Sequence, residues 1–130
     1  MKITVRSVGL VAQSLLYVVA GVNHLWHSGT YVAIMPDHYT HPLAWVQFTG
    51  VAEILGGLGL LIPLSRRAAA WGIVAMLVGY FDVHIYMLLH AADKFASLPL
   101  WLLYARLPLQ LVLIYWAWMY TKPTAAGTDR

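Results

Sequence analysis

The chain has 130 residues, of which 61% are hydrophobic and only 10% charged, with a net charge of +3 and no cysteine. A mean hydropathy of +0.69 is too apolar for a soluble domain of ordinary composition and marks an integral membrane protein. The lack of cysteine excludes disulfides, thiolate nucleophiles and cysteine-held iron–sulfur clusters, and the basic side chains are not clustered as nucleic-acid binding would require, so no nucleic-acid partner is expected.

Four apolar stretches, 7–26, 42–62, 68–90 and 98–120, reach the roughly 20 residues a spanning helix needs. The expected fold is all-α: one four-helix membrane domain over 1–121 in a lipid bilayer, then a short tail, 122–130, whose composition reads as disordered. Lys2 and Arg6 ahead of the first stretch imitate a secretory n-region, but no small-x-small cleavage site follows and the stretch carries a polar stripe, so it is read as a retained span. Lys2, Arg6, Arg66, Arg67, Lys122 and Arg130 flank the spans on one side, whereas the other joints hold only Lys94. The positive-inside rule then makes both termini and the Ser65-Arg66-Arg67 turn cytoplasmic.

On the first helix Gln13, Tyr17, Ala20 or Gly21, His24 and His27 recur at helical spacing and form one inward polar face. On the second, Gly50, Glu53 and Gly57 share a face with Gln47 one turn away, and Gly56 and Gly59 add further points of close approach. On the third, Asp82 and His84 are about 200° apart on an ideal helix, so both cannot face one cavity. Asp82 is the costlier group to expose and is expected inward, which turns His84 to lipid or to a neighbouring subunit in a homo-oligomer. On the fourth, Arg106 and Gln110 stack one turn apart, and Pro108 between them deprives the carbonyl of Tyr104 of its donor, which predicts a kink. Glu53 and Arg106 are charges within spans, where each costs several kcal/mol, and their opposite signs predict an ion pair. Most of the remaining aromatics, from Trp26, Tyr31, Tyr39, Trp45, Trp101 and Tyr104 at one end to Trp71, Trp116, Trp118 and Tyr120 at the other, suit interfacial belts.

The motifs Ala20-Gly21-Val22-Asn23-His24, Ile34-Met35-Pro36, the run 50–61 from Gly50 through Glu53 to Leu61, Arg66-Arg67-Ala68-Ala69, Ile85-Tyr86-Met87 and Arg106-Leu107-Pro108-Leu109-Gln110 stand in the order and spacing of one family. In them the chain resembles the DoxX-like family of small four-helix bacterial membrane proteins over roughly residues 7–120. The resemblance implies a multi-pass protein of the bacterial inner (plasma) membrane, with Asn23, His24, Glu53, Arg106 and Gln110 at the family's polar positions. Some members look like small subunits of quinone-linked oxidoreductases, which implies quinone as cofactor and a redox partner subunit. The chain departs from the family at Phe81-Asp82-Val83-His84, where many members read Phe-Pro-Ala-Asn.

Three functional expectations follow. The first is a quinone- or lipophile-binding subunit of a redox complex, with a polar pocket in the outer half of the bundle. There Glu53, Asp82 and Arg106 would serve the chemistry, a carboxylate handling the protons that quinone reduction takes up, and Asn23, His24, Gln47, Tyr86, Arg106 and Gln110 would bind the head. The second is a non-catalytic ligand-binding or assembly protein in which the ion pair only fixes helix register. The third is an outer-side metal site from His24, His27, His38 and His41, which form two His-x-x-His pairs of imidazoles suited to zinc, copper or iron.

Overall fold

A computed structural model describes residues 3–122; Lys2, Arg130 and the tail from residue 123 onward lie outside the described residues. Helix α1 (Val5–Trp26) starts at a capping box. The Thr4 hydroxyl accepts from the Ser7 amide at 3.0 Å and the Ser7 hydroxyl accepts from the Thr4 amide at 2.8 Å, so two amides without helical partners are satisfied. A short α2 (Ser28–Ala33) leads through a loop to α3 (Pro42–Leu61), which Pro42 opens at a position where a missing N–H costs nothing. Helices α4 (Arg66–Gly79) and α5 (Phe81–Leu89) follow, and α6 (Leu100–Trp118) ends in a 3-10 turn, Met119–Thr121.

Four of these units are long and apolar enough to cross a membrane: α1, α3, α4 with α5, and α6 with its final turn. Rows of aliphatic side chains point outward along them, among them Leu15, Val19, Leu55, Leu111 and Val112, each about 60% exposed or more. Such rows would aggregate in water and belong against lipid tails. The protein is therefore a multi-pass membrane protein.

Helix α3 is the centre of the packing because its glycines serve two neighbours. A Cβ at Gly57 would stand 2.8 Å from the Ser14 carbonyl oxygen and one at Gly50 2.7 Å from His24 Cβ, so α1 presses directly on this face. The Ser14 hydroxyl donates to the Gly57 carbonyl at 2.6 Å across the same contact. A quarter-turn round, Gly56 and Gly59 admit Ile73 and Ala69 of α4. Without a hydrophobic drive between helices in lipid, such close backbone approach supplies the dispersion contacts that hold a bundle together.

The two ends differ in chemistry. At one, the basic side chains cap carbonyls left open at helix C-termini. Arg66 donates to the Leu60 carbonyl at 2.7 Å, Arg67 to that of Thr121 at 3.0 Å, and Arg6 to that of Met119 at 3.3 Å, while Arg6 also lies over the Tyr120 ring. Tyr120 is thereby buried at 1% exposure and leaves the aromatic belt in which its sequence position put it. At the other end lie α2, the α2–α3 loop and the α5–α6 joint, with five of the six histidines.

One departure from the expected elements matters for the site. The third span is interrupted at Tyr80, although Tyr80 still donates to Met76 at 2.9 Å and accepts from His84 at 3.1 Å. Pro108 lies inside α6.

Candidate functional site

At the histidine end the four spans enclose a cavity of about 370 Å3. Its walls are mostly apolar: Ile34 and Met35 from the loop, Trp45, Val46 and Phe48 from α3, Met76 from α4 and Val83 from α5. Trp45, Phe48, Ala75 and Gly79 line it and are also exposed on the bundle surface, so it opens sideways between α3 and α4. Into these walls are set His24, Tyr31, Tyr39, Thr49, Tyr80, His84 and Arg106.

His24 is held from both ring nitrogens. Nδ1 lies 3.2 Å from the Thr49 hydroxyl and 3.3 Å from the Val46 carbonyl. The Thr49 proton is used on its own helix, toward the carbonyls of Trp45 and Val46, so the acceptors around Nδ1 place a proton there. Nε2 then faces Glu53 Oε2 at 3.3 Å, an ion-pair distance, while that oxygen has no hydrogen-bond partner among the described residues. An imidazole beside the carboxyl offers the compensation that a group at 4% exposure inside a membrane bundle needs. The Tyr31 ring packs against His24 at 4.0 Å between centroids, tilted by 41°.

The expected Glu53–Arg106 ion pair does not form. Glu53 takes His24 because α1 and α3 pack glycine to glycine, which brings their polar faces into contact, while Arg106 sits across the cavity on α6. The Arg106 guanidinium reaches the Met87 sulfur at 2.8 Å and no carboxylate among the described residues.

The expectation for Asp82 and His84 is reversed. Asp82 turns to the α2–α3 loop, where it accepts from the Tyr39 hydroxyl at 2.8 Å and contacts His38 Nε2 at 2.7 Å, with its side chain still 42% exposed. His84 faces the cavity instead. The break at Tyr80 sets the start of α5, and a loop able to meet Asp82 with two partners removes the cost that exposure would carry. The Asp82 contact raises the Tyr39 hydroxyl pKa above its ordinary value, through the hydrogen bond first and burial second.

Gln110 positions His84 from behind. Its amide nitrogen donates to the Leu77 carbonyl, which leaves its oxygen toward His84 Nε2 at 3.3 Å, so Nε2 carries a hydrogen and Nδ1 is left buried without a partner. Four other expected residues lie off the cavity. Gln47 is exposed on the outer side of α3. Asn23 joins the Tyr31 hydroxyl to His27 Nδ1. Tyr86 meets Lys94 at 2.7 Å and stacks on His90, and Gln110 itself stands behind the wall. Nor do His24, His27, His38 and His41 converge: among the described residues no three His, Asp or Glu side chains stand where they could hold one metal ion.

A clasp closes the loop over this end. Lys94 donates to Asp37 at 2.7 Å and to Tyr86 at 2.7 Å, tying the α2–α3 loop to the α5–α6 joint. The Lys94 hydrogen bond, with that of Tyr86 second, holds the Asp37 carboxyl below the usual carboxylate range, and Asp37 and Tyr86 hold the Lys94 ammonium above its usual value.

The residues that pattern reading passed over are Thr49, Tyr80 and Met35. Thr49 and Tyr80 each stand three or four positions from a polar residue on their own helix, a weak signal; Met35 in its loop gives none.

Fold and cavity together define a small four-span helical membrane protein with a laterally open, largely apolar pocket. Residues 13–121 match the family model described as Domain of unknown function (DUF8561), and the chain belongs to that family. No curated protein and no solved structure matches it.

Proposed function

We propose that this protein binds a lipophilic molecule with a polar head in its lateral pocket, as a membrane subunit of the DoxX-like type. The single observation that carries this reading is the cavity itself: apolar walls open to the bilayer on one side, with His24, Thr49, His84 and Arg106 set into them. Ligand sites of this kind span about 300–1,000 Å3, and 370 Å3 lies at the low end, enough for one ring or one chain and too small for a two-chain phospholipid.

Quinone is the redox form of this proposal. The observation that favours it is His24 at the wall with Glu53 behind it at 3.3 Å, an imidazole and a carboxyl able to exchange protons beside the ligand. In that form the protein is the membrane subunit of a redox complex with a partner chain. Asp82, tied to the loop, takes no part in the proton exchange and is assigned to closure of that end. The sequence argument for a homo-oligomer rests on His84 and several aromatics, of which His84 lines the pocket.

We place the basic end, with Arg6, Arg66, Arg67 and Lys122, on the cytoplasmic side of a bacterial inner membrane and the pocket in the outer half, because basic joints are retained on the cytoplasmic face. The test is native mass spectrometry of the protein released in mild detergent, read for bound small molecules. A stoichiometric single-chain lipid or quinone, lost when Thr49 and Ala75 are replaced by Phe to fill the pocket, is the expected result. A chain that carries only ordinary two-chain phospholipid would overturn the proposal.

A further inference from the structure

Acidic side chains can be accounted for one by one across the described residues. Asp37 meets Lys94, Asp82 meets His38 and Tyr39, Glu53 meets His24, and Asp93 accepts from the Lys94 amide in an exposed joint. None is left for Arg106. Its guanidinium therefore stands in the wall of a membrane-embedded cavity with a thioether as its contact, although Arg keeps its charge in proteins and a charge at this depth demands a counter-charge. His84 lines the same cavity, with Nδ1 buried and unpartnered. Glu53, the one carboxyl buried in the spans, faces His24 and forms no ion pair with Arg106. The empty balance is one negative charge, at a point where apolar walls lead to the lipid.

We propose that the pocket selects an anionic single-chain amphiphile, with its carboxylate on Arg106 and its tail in the lateral mouth beside Trp45 and Phe48. A carboxylate matches the guanidinium fork with two parallel hydrogen bonds. A neutral quinone carbonyl would accept one bond from Arg106 and leave the charge uncompensated. A phosphodiester lipid carries the charge but brings two chains into space for one. The inference rests on the lipophile-binding reading and narrows it to a head-group class.

The test uses the full chain in detergent at pH 8, with Trp45 fluorescence as the reporter and its Phe variant (Trp45→Phe) as the blank for the other tryptophans. The probes are dibromostearic acid, whose bromines quench indole, its methyl ester, and decylubiquinone. The acid is expected to quench Trp45 saturably and to bind at least about tenfold tighter than the ester, as a hydrogen bond to a charged group gives. Arg106→Met should abolish that preference and Arg106→Lys should retain part of it. The acid-against-ester comparison in the unaltered chain stands even where Arg106→Met fails to fold. Equal binding of acid and ester, or tighter binding of decylubiquinone than of the acid, overturns the anionic head and leaves the lipophile pocket intact. Saturable quenching by none of the three overturns both.

Discussion

Glu53 Oε2 lies 3.3 Å from His24 Nε2, in a contact that joins α3 to α1 and has no other partner for the carboxyl oxygen. Removal of one member leaves the other buried, which for paired charges typically costs about 3 to 5 kcal/mol. The substitution that keeps a donor toward Nε2 should be cheaper. Glu53→Gln places an amide N–H where a protonated carboxyl would donate, and is expected to cost roughly 1 kcal/mol, against about 3 kcal/mol for Glu53→Ala. Reversible unfolding in mixed micelles, followed by circular dichroism, distinguishes the two. Equal losses for Gln and Ala would show that the hydrogen-bonding character of the pair contributes nothing.

The glycines of α3 give a second prediction with an internal control. At Gly57 an added methyl would stand 2.8 Å from the Ser14 carbonyl oxygen and 3.1 Å from the Val18 amide nitrogen, both on the α1 backbone. Gly57→Ala is expected to force the helices apart and cost about 1 to 3 kcal/mol. Gly72, within α4, has nothing within 4 Å, so Gly72→Ala should stabilise the chain by roughly 0.5 to 1 kcal/mol through helix propensity alone. The same unfolding assay reads both. A Gly57→Ala variant as stable as the unaltered chain would rule out direct contact between α1 and α3.

The contrast between these sites shows where sequence reading succeeds in this protein. Spans and most of the inward stripe are legible because apolar length and helical period are local properties: Gln13, Tyr17, Gly21 and His24 are buried, while His27, at the helix end, is exposed. The small-residue face of α3 is legible for the same reason. Partner choice is not local. Glu53 pairs with His24 and not Arg106 because of which helices touch, a matter of bundle order that hydropathy does not encode. The Asp82–His84 reversal has a different cause: Asp82 is expected inward on the cost of exposing it, and the loop residues His38 and Tyr39 that remove that cost lie in a proline-bounded segment without periodicity.

The Asp37–Lys94 clasp should respond to pH with a sign set by the shifts. Asp37 titrates lower in the folded protein than in the unfolded chain, so its contribution is present above the ordinary carboxylate pKa and is lost as pH falls through the lowered value. Lys94 titrates higher in the folded protein, so its contribution is present below the ordinary ammonium pKa and lost as pH rises through the raised value. The loop is therefore held throughout the neutral range and loosens only at either extreme. Hydrogen exchange of segment 34–41, corrected for the intrinsic rate at each pH, is expected to rise below about pH 4, near the carboxylate range. In Asp37→Asn it should be faster at neutral pH and lose that acid step. An acid step that persists in Asp37→Asn would assign it to another carboxyl, with Asp82 the nearest.

Arg106 is expected to behave unlike Glu53 when removed. A guanidinium that anchored a buried ion pair would cost several kcal/mol on deletion, but here its contact is the Met87 sulfur, and no carboxylate among the described residues is left uncompensated. Arg106→Met removes the burden of a charge within a span and keeps most of the side-chain volume, so the ligand-free protein should unfold within about 1 kcal/mol of the unaltered chain, or later. Glu53→Arg is the opposing control: it sets a second cation beside His24 and should prevent stable folding. The measurement is the unfolding free energy of each variant after exhaustive detergent exchange to strip bound lipid. A loss of 3 kcal/mol or more for Arg106→Met in stripped protein would mean that the guanidinium holds the bundle together, and would return Arg106 from the pocket to the framework.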